Sequence, residues 1–261
     1  MIAVLVRRNA RQNARLVAAL ASGAFALQLM IVHIGAAFEP TMADMIAALP
    51  PMFRGFITGM EEFSFGAVVA FGYKHPATLA MGLSLALLLA TQPAAERERG
   101  LLDLWLARPL ARARYLAAVV VSVVLGALVL PVAQFLGGAL GLMTVQLDAP
   151  PAWGDFVLSA LGQAPFYLAF GGIALLASVR APRRGVAVAR TVAIVLVMYV
   201  VDAFAPVFAP LQRIEWLSLF DYFRPVEWGT GGSPGWSPVL LLLVFGVTAG
   251  LAFRRFDAAD L

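Results

Sequence analysis

The chain has 261 residues, 61% of them hydrophobic and only 13% charged, with a mean hydropathy of +0.86. A soluble domain carries nearer a quarter charged residues, so a water-soluble globule is excluded and a membrane protein is expected. The net charge of +4 comes from arginines flanking apolar blocks, not from one continuous patch; that distribution argues against nucleic acid and for determinants of membrane topology. Cysteine is absent, which removes disulfides, thiolate metal sites and cysteine catalysis.

In chain order, residues 1–15 hold Arg7, Arg8, Arg11 and Arg15 behind Ile2, Val4, Leu5 and Val6. This pattern predicts a short amphipathic helix on the cytoplasmic surface before the chain turns into the bilayer. The next apolar block is as long as a full span and is followed by no clear cleavage site, unlike a signal peptide. Six blocks reach the roughly 20 apolar residues that a spanning helix needs: about 16–38, 76–95, 115–143, 156–179, 186–208 and 236–253. Of the 19 Lys and Arg residues, 15 fall on the side of the two termini and 4 on the other, which puts both termini in the cytoplasm. The expected fold is an all-α, six-span integral membrane protein, a single permease domain over 1–261.

Segment 39–75 carries Glu39, Asp44, Glu61 and Glu62 between apolar patches and is broken by Pro50-Pro51. It reads as external interfacial or re-entrant helices; the competing reading makes 53–73 a seventh span. Pro131 and Pro165 are expected to kink the third and fourth spans. Small-residue ladders at Gly82/Ala86/Ala90, Ala133/Gly137/Gly141 and Gly246/Gly250 allow close helix packing. Gln28, His33, Gln134, Gln163, Tyr199 and Asp202 place polar groups at span depth. A carboxylate there is costly and so a candidate functional group. Gln134, Tyr199 and Asp202 are the candidates for a translocation path, with an interhelical hydrogen bond the other use for Gln134 and a solvated helix end the other use for Asp202.

The loop after the second span is the most informative stretch. Gly100 and Pro109 bracket about two helical turns, in which Leu101, Leu104 and Trp105 share one face at i, i+3, i+4. Asp103 and Arg108 suit the two ends of the helix dipole. Such a helix either docks in a groove of a soluble partner or lies as an ordinary solvated loop. From Glu96 through Gly100-Leu101-Leu102 to Arg108-Pro109-Leu110-Ala111-Arg112, the stretch resembles the loop of ABC-2 type transporter permeases. Further similarities are Leu217 to Phe223 before the last span, Arg183-Arg184-Gly185-Val186-Ala187 at the turn between spans 4 and 5, and the tail from Ala252 to Leu261. The tail departs from the family's adjacent Arg-Asp-Leu, ending Asp257-Ala258-Ala259-Asp260-Leu261.

The resemblance implies a permease of an ABC exporter in the inner (plasma) membrane, a homodimer or half of a heterodimer, working by alternating access. It also implies two separate ATPase subunits that carry the ATP and Mg, with no cofactor on this chain. Glu96, Gly100, Leu101, Leu104, Trp105, Arg108 and Pro109 would couple it to them, and Glu61-Glu62 with Trp216 to Trp228 would form an outer gate. The residues agree that the chain is no enzyme. It has no Gly-x-x-x-x-Gly-Lys-Ser/Thr loop, His33 and His75 lack metal spacing, and Ser218 and Asp221 have no histidine nearby to complete a triad. Two other classes stay open: an ion-coupled secondary transporter, which calls for a midplane ion site at interrupted spans, and a non-transporting membrane anchor or assembly protein.

Overall fold

A computed structural model describes residues 2–38, 64–102, 112–147 and 152–258. Lipid offers no partner to backbone amides, so apolar blocks must form helices that satisfy their own hydrogen bonds, and among the described residues the chain is helical without a strand. The elements are α1 (Ile2–Phe38), α2 (Phe65–Lys74), α3 (Pro76–Ala90), α4 (Gln92–Glu98), α5 (Arg112–Thr144), α6 (Trp153–Leu161), α7 (Gln163–Ser178) and α8 (Arg184–Phe204). After two short turns come α9 (Pro225–Gly229) and α10 (Ser237–Asp257).

Five stretches are long and apolar enough to cross a membrane: α1, α5, α6 with α7, α8 and α10. A sixth is counted if Phe65–Ala90 and Gln92–Glu98, bent by 52° at Thr91, form one span. Side-chain contacts give their directions. Asn9 meets Ser122 and His33 meets Thr144, so α1 and α5 run parallel. Thr78 lies beside Gln134 and Leu89 beside Gly126, so α3 runs against α5. The start of α7 meets Gln134 and its end meets α4, so α7 also runs against α5. Arg184 reaches Leu88 while Asp202 reaches Lys74, which sets α8 against α3. Successive spans alternate, and the start of α1, the end of α4 and the end of α10 gather at one end of the bundle, where Arg8 pairs with Glu96 and Arg112 bonds the Asp257 carbonyl.

Two features differ from the sequence expectation. No turn separates an interfacial helix from the first span: α1 is one helix of 37 residues, about 55 Å long, because nothing between Arg7 and Ala18 breaks the helix. The second span does not begin at Pro76. Phe65–Lys74, expected outside as part of an interfacial or re-entrant segment, is a helix capped by Ser64 and packed inside the bundle with Phe65, Ala67, Val69, Ala70 and Tyr73 buried. Pro131 lies inside the continuous helix α5, and Pro165 follows an interruption at Gly162, as its expected effect on the fourth span requires; Pro165 has no N–H to reach the Leu161 carbonyl. Residues 39–63, with Glu61 and Glu62 and most of the seventh-span alternative, lie outside the described residues, as do 103–111.

The core is aromatic toward one end, where Phe166 stacks on Phe223 and meets Phe170 and Phe220 edge-on. Two of the three small-residue ladders are used within the chain. A Cβ on Gly82 would fall 2.0 Å from the Tyr167 ring, and one on Gly137 would fall 2.1 Å from the Phe25 carbonyl oxygen. Gly246 and Gly250 meet nothing within 4 Å. We expect Gly137→Ala to force α1 from α5 and to destabilise the detergent-solubilised protein by about 1–3 kcal/mol. Gly246→Ala should leave the thermal unfolding midpoint unchanged or slightly raised; size-exclusion after a heating series measures both.

Candidate functional site

The residues expected to carry function lie at three levels of the bundle. At the end that holds the chain's two ends, α4 is the focus. Pro93 has no N–H for the Leu89 carbonyl and the helix bends at Thr91. Groups on neighbouring elements then replace the broken ladder. Arg184 donates from Nη2 to the Leu88 carbonyl at 3.1 Å and from Nε to Thr91 Oγ1 at 3.2 Å, while the Ala94 N–H donates to Ser178 Oγ at 3.0 Å. Arg97 spans the carbonyls of Val179 and Ala181 at 2.9 Å each, and Glu98 accepts from the Arg184 N–H at 3.0 Å. On the other side Glu96, only 3% exposed, pairs with Arg8 at 2.9 Å and accepts from Gln92, which also donates to Asn9 Oδ1 at 2.6 Å. The short helix is therefore fastened to α1 and to the turn between α7 and α8.

Of the residues expected to couple the chain to a partner, Glu96 occupies this junction. Gly100 ends it with φ +66, a left-handed conformation that glycine adopts without strain. The chain resumes helical form at Leu101 and Leu102. Leu104, Trp105, Arg108 and Pro109 lie outside the described residues. The sequence reading missed Asn9, Gln92 and Ser178, and assigned no bonding role to Arg8, Arg97 and Arg184. The available signal was Gln92 and Glu96 at i, i+4 around Pro93.

At mid-depth, Gln28, Gln134 and Gln163 are fully buried and meet at the break between α2 and α3. Pro76 cannot donate to the Gly72 carbonyl, and the Ala77 N–H turns to His75 Nδ1 instead of Tyr73. The Thr78 hydroxyl, which donates to the Gly72 carbonyl at 2.9 Å, and glutamine amides supply the missing donors. Gln134 Nε2 donates to the Gly72 carbonyl and to Gln28 Oε1, both at 2.9 Å. Gln28 donates to the Val69 carbonyl at 2.8 Å, and Gln163 to the Tyr73 carbonyl at 2.8 Å and Gln134 Oε1 at 3.0 Å. Both amide hydrogens and the carbonyl of Gln134 are engaged. Chemically this is a neutral hydrogen-bonding cluster, without a carboxylate or an ammonium.

At the opposite end Asp202 pairs with Lys74 at 3.1 Å, and Lys74 also donates to the Phe220 carbonyl at 3.3 Å. Carboxylate oxygens of Asp202, Glu215 and Asp221 lie within 4.8 Å of one another. Arg224 pairs with Asp221 and stands 3.7 Å from Glu227. Burial, reinforced by Asp221 and Asp202, raises the Glu215 pKa above the ordinary carboxylate value. The hydrogen bond that Arg224 donates to the Asp221 carboxylate raises the Arg224 pKa. The trio has the donors for a hard cation, but Lys74 and Arg224 already balance two of its three charges. Tyr199 lies edge-on to Phe220 at 5.5 Å. Gln134, Tyr199 and Asp202 thus do not line one surface: the first is enclosed at mid-depth and the other two belong to this outer network.

Residues 9–256 match the family described as Multidrug efflux system permease Rv1217c, C-terminal domain. No curated protein matches the chain.

Gln134→Leu should strand an oxygen of Gln28 and an amide hydrogen of Gln163 in a dry interior, each costing about 1–3 kcal/mol, and leave the Gly72 carbonyl to the Thr78 hydroxyl alone. A thermal midpoint well below that of the wild type, in the same detergent, is the expected outcome. Tyr199→Phe, on the exposed side of α8, should melt with the wild type.

Proposed function

We propose that this chain, which belongs to the family of the multidrug efflux system permease Rv1217c C-terminal domain, is the permease subunit of an ATP-driven ABC exporter. The family match over residues 9–256 carries this reading; membership makes the chain a membrane transporter permease. The ABC-2 type assignment, the inner-membrane location and the dimer extend it. Two ATPase subunits bind at the end of the bundle that holds Arg8, Glu96 and Asp257, which faces the cytoplasm by its arginine excess. The contact is the 100–109 stretch, with Leu101, Leu104 and Trp105 as its apolar face. A push there reaches α1 through Arg8–Glu96 and α7 and α8 through Arg97, Glu98 and Arg184, because α4 is fastened to both. The cargo is an amphiphilic organic compound, in keeping with the family's name and with spans poor in charge.

A second reading, an ion-coupled secondary transporter, draws on the interruptions at His75 and Gly162, which face one another through Gln163 and the Tyr73 carbonyl. Interrupted spans are where such carriers hold ions. Here, however, the freed carbonyls are taken by glutamine amides and no described carboxylate lies among them.

Co-expression with a cognate ABC ATPase, followed by dye efflux from reconstituted vesicles, separates the two readings. The complex should copurify and export only with ATP. Trp105→Ala should weaken docking by roughly 30-fold, the equivalent of about 2 kcal/mol at an aromatic anchor, while insertion is unchanged. Saturable ATP hydrolysis by this polypeptide alone, or efflux driven by an ion gradient without ATPase, would refute the proposal. Since cysteine is absent, topology is tested with single replacements at two exposed positions. Ser233→Cys should label on intact cells and Ala258→Cys only after permeabilisation.

A further inference from the structure

The unbroken α1 gives its arginines an arrangement that a flat interfacial helix would not. Arg7, Arg11 and Arg15 recur at i, i+4, i+8 and all three are exposed, while Leu5 and Asn9 turn inward to the bundle. The exposed stripe continues along the same face through Ala18, Ser22, Ala26 and Met30. One helical face is thus small and apolar over the length of the span and cationic at its end. Among the described residues, no ion pair engages these three arginines; the α1 arginine with a carboxylate partner is Arg8.

That stretch is electrostatically unfavourable within the chain. Like charges four residues apart repel on a helix. No acidic residue stands in the first turn of α1 to offset its dipole, and segment 2–15 contains neither Asp nor Glu. The balancing anion must come from outside, and the direction of the stripe identifies its source. Arg7 and Arg15 are eight residues apart, about 12 Å along the axis. The headgroup zone beyond the hydrocarbon is roughly 5–7 Å deep on each side. Arginine stems reach several ångströms further along an apolar surface while the guanidinium stays in the polar layer. All three guanidinium groups are therefore within reach of phosphates in the leaflet against which the lower stripe lies. A symmetry-related second copy on this face would bring two such ladders together, six like charges without a counterion. A guanidinium fits a phosphate diester through two parallel hydrogen bonds.

We infer that the Arg7–Arg11–Arg15 face of α1 is a binding surface for the headgroups of anionic phospholipids, held beside the first span at the end of the bundle where the chain begins. The inference rests on the reading of the chain as a membrane permease but not on its coupling to an ATPase.

The test uses the full chain in nanodiscs of phosphatidylcholine with graded phosphatidylglycerol, in which both faces are accessible whatever the orientation. Native mass spectrometry counts the phosphatidylglycerol retained. The wild type should retain it in preference to phosphatidylcholine, and raised salt should remove the preference. Arg7→Gln, Arg11→Gln and Arg15→Gln together should weaken retention by about 100-fold, from roughly fivefold per arginine. The corresponding triple lysine variant should keep most of it, and Arg213→Gln at the other end should match the wild type. Equal retention of the two lipids by the wild type, or undiminished phosphatidylglycerol on the triple glutamine variant, overturns the inference. Displacement of the lipid by inorganic phosphate overturns it in favour of a free-anion site, and disulfide formation between Ser22→Cys copies in favour of a second subunit. Copurification of an ATPase with the triple glutamine variant is scored separately, so that either reading fails without the other.

Discussion

A helix broken inside a membrane protein exposes carbonyls where no water can reach them, and this structure is organised around meeting that debt. Pro76 and Pro93 interrupt the second span at two depths. At the first, glutamines from α5 and α7 reach the freed Gly72 and Tyr73 carbonyls of α2, and Gln28 of α1 accepts from one of them. At the second, Arg184 and Ser178 reach in from the α7–α8 turn. An unmet carbonyl in hydrocarbon costs several kcal/mol, so each break dictates what must surround it. The order of helices around the second span follows: only neighbours with an amide, guanidinium or hydroxyl at the right height can stand there.

The two breaks differ in the chemistry that repairs them. At mid-depth every donor is a neutral amide, which fits a low-dielectric interior where a charge would be heavily penalised. At the end of the bundle the donors are guanidinium groups that reach water. The charged repair also links elements that would otherwise touch only through apolar contact, since Arg184 serves α3 while opening α8 and Arg97 serves the turn after α7 while closing α4. The polar residues at this end are thus part of the framework.

Much of this was legible in advance. Apolar blocks located the helical spans, because lipid thickness acts on composition directly. The Ala133/Gly137/Gly141 ladder was visible as a packing face, and Phe25 and Val32 fill it. Gln134 was visible as a probable interhelical donor. What stayed hidden depends on contacts between residues far apart in the chain. Ser64 to Lys74 carries a cap and an apolar face in its sequence, but only the glutamines of three other helices make its interior position tolerable. Arg8, Arg97 and Arg184 read as topology signals because each sits beside an apolar block; their second role needs Glu96 and the carbonyls of 88, 179 and 181 brought alongside. Residues 2–15 read as a separate helix because periodicity registers a change of surface chemistry and not whether the backbone continues through it.

The close fit of Gly72 against Gln28 has a consequence for how this chain can diverge. A Cβ on residue 72 would sit 2.3 Å from Gln28 Oε1, so the glutamine that accepts from Gln134 also forbids a side chain at the residue whose carbonyl Gln134 satisfies. A lineage that lost the amide at 28 would be released from glycine at 72 but left with an amide hydrogen of Gln134 to satisfy, and restoring a continuous helix through 76 would make the amides at 134 and 163 the unsatisfied groups instead. Positions 28, 72, 76, 134 and 163 therefore form one heritable unit whose members are expected to substitute in concert, scattered over five helices and invisible to any comparison that treats alignment columns one at a time.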